Sequence, residues 1–415
     1  MTRLRTLALV LVASALAACA SAPKRLNYTY APPYGVASDQ FLRSLEGLRY
    51  GMVAGNRLDL LENGDGVFPA IVEAIRSARL SINFETYLFA DGEIGRIVAE
   101  ALAERARAGV EVRVLVDAVG ARMGPLSGMM RRAGVNVRTY KPVKLFTVHR
   151  IQDRTHRRLV IVDGLIGFTG GFGIDDRWRG DTRSEDEWRD LAVSVEGPAV
   201  RILQRAFIED WLHTTGEVLH DYRQFPPLDR AGPALAQVVA SSRGEHVSTA
   251  KLTFYMAIQA ARERVWLENA YFAPDRQIIG ALAAAARRGV DVRVVVPGPA
   301  IDIPPIRRAA RTNYGDLLEA GVKIYEYLPT MLHTKAMVAD GVWATVGTIN
   351  LVTRSMKKNA EVNLVAYDRD FAAEVERAIE IDLARSQPIT IEEWRKRGLW
   401  ERVREAISYL FYEAY

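Results

Sequence analysis

Two stretches, His156-Arg157-Arg158-Leu159-Val160-Ile161-Val162-Asp163-Gly164 and His333-Thr334-Lys335-Ala336-Met337-Val338-Ala339-Asp340-Gly341, share one pattern. Each places an imidazole, a cation two residues on, a carboxylate after four further residues and then a glycine, with a second glycine at 170 and at 347. The chain holds only six histidines, so two copies with matching surroundings are not ascribed to chance. Residues 159–162 and 336–339 are apolar and turn-bounded, as buried strands are, and residues two apart on a strand share a face. His156 and Arg158 therefore project together, as do His333 and Lys335. Near neutral pH an imidazole is a nucleophile or base, its protonated form is an acid, and a neighbouring cation neutralises an anionic oxygen. Such a set fits phosphoryl transfer through a covalent phosphohistidine, one imidazole attacking phosphorus while the other protonates the departing alcohol.

Working outward, the two halves read as a duplication. Ala108-Gly109-Val110-Glu111-Val112-Arg113-Val114-Leu115-Val116 parallels Arg288-Gly289-Val290-Asp291-Val292-Arg293-Val294-Val295-Val296, each after an Ala-rich helical stretch. Arg132-Ala133-Gly134-Val135-Asn136-Val137 likewise parallels Glu319-Ala320-Gly321-Val322-Lys323-Ile324. Helix, glycine stop, then apolar strand is the signature of repeated α/β units. The expected class is α/β, with two domains of similar fold at residues 46–220 and 246–415 and a linker at 221–245 rich in Pro, Gly, Ser and charge. A pseudo-twofold between them would bring both histidines to one cleft.

These residues resemble the signature of the phospholipase D superfamily, His-x-Lys-x4-Asp followed by a glycine turn and an Asn. The second copy fits closely, with Gly347-Thr348-Ile349-Asn350, Arg354-Ser355 and Asn359-Ala360-Glu361. In the first copy Arg158 stands for Lys and Gly173 for the usual Asn. Arginine keeps the charge and forks onto two phosphate oxygens, although it is not interchangeable with lysine. Asn63-Gly64-Asp65, Glu85-Thr86-Tyr87-Leu88-Phe89, Glu268-Asn269-Ala270-Tyr271-Phe272 and Asp382-Leu383-Ala384-Arg385-Ser386 look like the bacterial cardiolipin synthase branch. The resemblance implies tandem phospholipase D-like α-β-α sandwich domains sharing one active-site cleft. It also implies catalytic roles for His156, Arg158, Asp163, His333, Lys335 and Asp340, with Asp163 and Asp340 bracing the site by hydrogen bonds. Asn350 would bind the substrate phosphate, and Asp190 and Glu361 would each orient the histidine of its own half. Glu85 and Glu268 would wall the cleft.

The amino terminus carries Arg3 and Arg5, then an apolar run at 7–18, short for a membrane span and flanked like a secretory signal. Leu16-Ala17-Ala18-Cys19 resembles the lipobox of bacterial lipoproteins, with Cys19, the only cysteine, as the lipidated residue after removal of 1–18. A disulfide within the chain is excluded, and residues 19–45 read as a tether from the membrane. That resemblance implies an extracytoplasmic lipoprotein, with Ala20 favouring the outer membrane facing the periplasm. Formal charge is +5, falling to +3 without Arg3 and Arg5, a mild excess that selects neither anionic lipid nor nucleic acid. His149, His213, His220 and His246 show no ligand spacing, so neither metal nor cofactor is expected. Leu399, Trp400, Val403, Ile407, Leu410 and Phe411 recur at helical spacing, the mark of an amphipathic helix that packs on the second domain or lies in a bilayer interface.

The expected function is a phosphatidyltransferase of cardiolipin synthase type, with His156 the nucleophile and His333 the acid by family analogy. A phospholipid is the expected substrate, the membrane is reached through the lipid anchor, and no nucleic acid partner is expected. A phosphodiester hydrolase of the same chemistry and a catalytically decayed, lipid-binding envelope scaffold remain the alternatives.

Overall fold

The apolar, β-branched runs become the strands of one sheet. In the first half these are β1 (Val53–Glu62), β2 (Ser81–Thr86), β3 (Glu111–Asp117), β4 (Asn136–Tyr140), β5 (Leu159–Val162), β6 (Ile166–Gly170) and β7 (Leu191–Glu196). In the second they are β8 (Ala234–Ser241), β9 (Arg264–Asn269), β10 (Asp291–Pro297), β11 (Lys323–Tyr327), β12 (Lys335–Ala339), β13 (Trp343–Gly347), β14 (Glu361–Tyr367) and β15 (Ser386–Ile389). The helices are α1 (Asp39–Glu46), α2 (Asn63–Ser77), α3 (Glu93–Arg107), α4 (Pro125–Arg132), α5 (Val200–Thr215), α6 (Thr249–Ala260) and α7 (Arg276–Arg287). They continue as α8 (Pro304–Arg311), α9 (Tyr314–Glu319), α10 (Thr353–Lys357), α11 (Arg369–Ala384), α12 (Ile391–Arg395) and α13 (Leu399–Phe411). This computed structural model describes residues 28–47, 51–142, 154–241, 248–357 and 359–411. The signal-like segment, Cys19, His149 and His246 lie outside the described residues.

Strand order across the sheet is β15-β11-β10-β9-β12-β13-β14-β8-β1-β7-β6-β5-β2-β3-β4. Read outward from the centre, β1-β7-β6-β5-β2-β3-β4 and β8-β14-β13-β12-β9-β10-β11 repeat one order, the pseudo-twofold that the duplicated sequence led us to expect. In each half three strands are parallel, β2-β3-β4 and β9-β10-β11, and β15 adds an antiparallel edge beside β11. The inner strands are antiparallel, and β1 and β8 join the halves with Val53 opposite Ala236. Gly109 and Gly289, at φ of +89° and +91°, stop α3 and α7 and turn the chain into β3 and β10.

One apolar cluster fills the first half between β2, β3 and α2 to α4, with Phe68, Ile71, Ile75, Phe84, Val98, Leu102 and Val114 in it. A second draws Leu159, Ile161, Leu191 and Val193 from the first half together with Val238, Ala336, Val338, Val346 and Val362 from the second. The halves therefore share a core, and residues 31–415 form a single unit. Two boundary expectations change. The stretch read as a linker contains β8, whose apolar run is masked in sequence by the Pro and Gly around it. The end of the presumed tether is folded too: α1 buries Phe41 and Leu45, and the Val36 amide donates to the Ala260 carbonyl at 3.1 Å.

Asp163 and Asp340 correct another expectation. Each follows β5 or β12 at φ +52°, with Gly164 at +66° and Gly341 at +60°, the paired positive φ of a tight hairpin turn into β6 or β13. The Asp163 carboxylate accepts the backbone amides of Arg79, Leu80 and Ser81 at 2.9, 2.7 and 2.8 Å. Asp340 accepts those of Arg262, Glu263 and Arg264 at 2.8, 2.8 and 3.0 Å. The fixed spacing from His to Asp is thus a strand's length, roughly 20 Å. It leaves both acids outside the cleft, pinning the loops that start β2 and β9. Asp163→Ala is expected to lower stability by about 2 kcal/mol in urea unfolding, and Asp340→Ala by about 1 kcal/mol, because three backbone amides lose a charged acceptor and those at Asp340 are the more exposed. Activity per folded molecule should stay within about threefold; a hundredfold loss in a fully folded variant would return these acids to the chemistry.

Candidate active site

At the start of β5 and β12 the chain does something neither motif shows by itself. The His156 amide donates to the Ala360 carbonyl at 2.8 Å and the Ala360 amide to the Arg154 carbonyl at 3.0 Å, a parallel bridge from the first motif to the approach of β14. Its counterpart joins the second motif to the approach of β7: the His333 amide donates to the Arg189 carbonyl at 2.7 Å, and the Arg189 amide to Met331 at 2.9 Å. The residue after each bridge is the orienting acid. Glu361 therefore sits beside His156, 3.4 Å from Nδ1, and Asp190 beside His333, which donates from Nδ1 at 2.8 Å. The expectation that each acid serves its own half is overturned, because backbone pairing across the pseudo-twofold exchanges them.

His156, Arg158, His333 and Asn350 line one cavity of about 360 Å³. Lys335, 1 % exposed, lies behind His333 with its Nζ 3.1 Å from Nε2. Arg158 is buried, donates from Nη1 to the His156 carbonyl at 2.9 Å, and leaves Nε without a partner. The buried Asn350 Oδ1 also has none. The Arg158 Nε–H is thus a donor that an anionic oxygen would complete, whereas the Asn350 Oδ1 is an acceptor open to a hydroxyl proton.

Burial is the largest single influence on each charge in this cluster, although the charged neighbours outweigh it at Asp190 and Glu361. It lowers His333 to about 3, with the Lys335 charge adding to the effect and Asp190 opposing it. His156 is lowered by burial as well, against the pull of Glu361. Lys335 falls to about 7 through burial and the like charge of Arg158, while Asp190 and Glu361 hold it up. Asp190 stays below the usual carboxylate range although burial pushes it up, because Lys335, His333 and Trp178 favour its anion. Both imidazoles are consequently neutral at pH 7, and the lysine is poised to lose its charge.

Behind the motifs lie two matching buried clusters. Arg157 points away from the cleft and donates to the Ala206 and Ser241 carbonyls at 2.6 and 3.0 Å and to Asp210 at 3.1 Å. Glu85 is next to it, hydrogen-bonded to Thr155 and pushed well above the usual range by burial and by Asp210. In the second half Arg189 takes the corresponding place, 2.6 Å from Asp382, with Glu268 raised in the same way by burial and Asp382. Glu85 and Glu268 accordingly lie beneath the site instead of walling it.

Sequence reasoning missed the aromatic enclosure. Trp178 and Trp188 stand 5.0 and 5.4 Å from the His333 ring, Tyr271 stands 6.0 Å from it, and Tyr87 is 4.8 Å from His156. Trp178 also explains Gly173. Counting on from Gly170 and Gly347, Gly173 falls opposite Asn350 and Trp178 opposite Ser355. The Trp178 indole donates to Asp190 at 2.8 Å, as the Ser355 hydroxyl does to Glu361. A Cβ at Gly173 would come within 2.9 Å of that indole. The indole of Trp178 thus takes space that a side chain at residue 173 would need. The far rim carries Asp302, both of whose oxygens accept from the Tyr271 hydroxyl at 2.9 Å, and the cations Arg122, Arg154, Arg177 and Arg354.

The pH dependence follows from Lys335. In kcat/KM, which reports the free enzyme, activity should fall as pH rises through about 7, because the cation is lost above its pKa. Bound phosphate favours the cation, so the same limb in kcat should lie higher. Lys335→Arg is expected to abolish the alkaline limb below pH 9, since arginine stays charged. An unaltered limb in that variant would assign it to another group.

With this geometry in hand, comparison with known proteins is direct. The sequence profile of the family described as "Cardiolipin synthase, PLD-like domain" matches residues 71–211 and 255–383. The cardiolipin synthase of Staphylococcus aureus (strain Mu50 / ATCC 700699) is 34 % identical over 364 residues, covering 86 % of this chain and 74 % of that one. The cardiolipin synthase of Geobacillus kaustophilus (strain HTA426) is 36 % identical over 358 residues, covering 85 % and 71 %. Among solved structures, phosphatidylserine synthase from Haemophilus influenzae Rd KW20 superposes with a TM-score of 0.66 at 14 % identity, covering 91 % of this chain and 98 % of that one, a likeness of fold.

Proposed function

The chain belongs to the cardiolipin synthase family of phospholipase D-like proteins, and from that premise we propose that it is a phosphatidyltransferase acting by way of a phosphohistidine. The observation that carries the reading is the meeting of His156, Arg158, His333 and Asn350 in one cavity with Lys335 directly behind. His156, with 14 % of its side chain exposed against 4 % for His333, is the more accessible to phosphorus. Its imidazole nitrogen attacks the phosphorus of a phospholipid, the bond to the head-group oxygen breaks, and His333 gives that oxygen its proton. An incoming alcohol then yields its proton to His333, its oxygen attacks phosphorus, and the P–N bond breaks. With phosphatidylglycerol as both donor and acceptor the products are cardiolipin and glycerol.

A bound phosphodiester favours protonation of His333. Its negative charge offsets Lys335 and Arg158, the cations that help burial to depress His333. Arg158, Lys335 and Asn350 hold the non-bridging oxygens as charge redistributes. One phosphodiester is exchanged for another, so no nucleotide is consumed.

The location belongs to the same proposal. The lipobox-like Leu16-Ala17-Ala18-Cys19 supports an extracytoplasmic lipoprotein anchored through Cys19, with residues 1–18 removed. No helix among the described residues is long and apolar enough to cross a membrane.

The test is to incubate the protein and its His156→Ala and His333→Ala variants with labelled phosphatidylglycerol vesicles and to separate the lipids. Cardiolipin and glycerol are expected from the parent, with each variant reduced by at least about a thousandfold. Phosphatidic acid alone would make the protein a hydrolase. No turnover with intact vesicle binding would favour a scaffold.

A further inference from the structure

We propose that α13 docks the protein onto an anionic lipid surface and so brings the catalytic cleft to its substrate. The proposal deepens the lipid reading above by naming the surface that meets the membrane. The structure changes the sequence expectation for this helix: it does pack on the second half, but by its polar face. Glu405, 3 % exposed, pairs with Arg311 at 3.0 Å and with Arg397, while Glu401 pairs with Arg311 at 3.2 Å. Ser408 is also turned inward.

The apolar side chains point the other way. Leu399, Trp400, Ile407 and Leu410 are 75, 75, 51 and 77 % exposed, and Val403 is exposed beside them. At about 100° per residue, Leu399, Val403, Ile407 and Leu410 fall within roughly 80° of one another with Trp400 at the edge, opposite Glu401, Glu405 and Ser408. A helix serving only the fold would bury this stripe and expose the acids. Here ion pairs hold the helix and the apolar face is left outward.

The charges at its margins select a lipid. Both described acids of α13 are committed to Arg311, whereas Arg402 and Arg404 flank the stripe, exposed and without an acidic partner among the described residues. Lys396 and Arg308 nearby are likewise exposed, with no acidic partner among the described residues. An apolar stripe bordered by long cationic side chains suits the boundary between acyl chains and anionic head groups, where arginine reaches back to phosphate. Two copies face to face would instead bring these cations together. The position fits as well: α13 lies on α8, and Ile303 and Ile306, at the start of α8, line the catalytic cavity. Seating α13 in the interface sets that rim against the lipid.

The test uses the full chain carrying Cys19→Ser, which removes acylation, with and without Leu399→Ser, Trp400→Ser, Ile407→Ser and Leu410→Ser together. Partition is measured by flotation with vesicles of phosphatidylcholine alone and of phosphatidylcholine with phosphatidylglycerol, and turnover is measured on dispersed short-chain phosphatidylglycerol. The parent should bind the anionic vesicles more strongly, and the fourfold variant should lose about tenfold or more of that binding while its turnover of dispersed substrate is unchanged. Equal partition of the two proteins overturns the proposal. So does a concentration-dependent dimer in sedimentation that only the fourfold variant abolishes, which would give the stripe to a second copy. Binding is read without turnover, so its failure leaves the transferase reading standing.

Discussion

Two backbone bridges hold this site together, one from the first motif to the approach of β14 and one from the second motif to the approach of β7. Each fixes a histidine at the end of its own strand and seats beside it the acid of the other half. Neither half contains a complete histidine–carboxylate pair. The shared core and the central pairing of β1 with β8 are therefore conditions for chemistry as well as for stability, since any rotation of one half against the other separates both pairs at once.

The same arrangement explains how six charged or chargeable groups, His156, Arg158, Asp190, His333, Lys335 and Glu361, are kept in a small buried space. Burial disfavours every ion there, and only mutual compensation keeps Asp190 and Glu361 anionic while Lys335 is left near the edge of its charged range. A site so balanced is short of one negative charge, and a phosphodiester brings it. In the mechanism we propose, substrate binding would favour the lysine cation and an imidazolium at His333, so that the acid forms where a leaving group needs it. The aromatic walls keep water from screening these interactions, and Trp178 ties wall and carboxylate together through one hydrogen bond.

Much of this was legible in the chain. The distance from His156 to Asp163 and from His333 to Asp340 recorded a strand and its turn, and the glycines after each acid recorded the backbone conformation of that turn. The duplicated helix–glycine–strand segments gave the repeat, and the signature residues gave most of the cleft. What was hidden is non-local. Periodicity cannot say which half supplies an acid, because the exchange depends on how two sheet edges meet. Residues 234–241 looked like linker because Pro and Gly surround them. The pattern of α13 showed two faces without showing which is turned inward, a choice made by Arg311 and Arg397 far from the stripe itself. Gly173 read as decay in the sequence, whereas in the fold the Trp178 ring lies too close for a side chain there.

The crossed site is tested most directly by nitrogen NMR of histidine-labelled protein, comparing the imidazole signals of the parent with Asp190→Asn and Glu361→Gln. Asp190→Asn is expected to alter the tautomer signature of His333 and leave His156 unchanged, with the reverse for Glu361→Gln. If Asp190→Asn altered His156 while His333 kept its parent signature, the acids would belong to their own halves and the exchange across the pseudo-twofold would be contradicted.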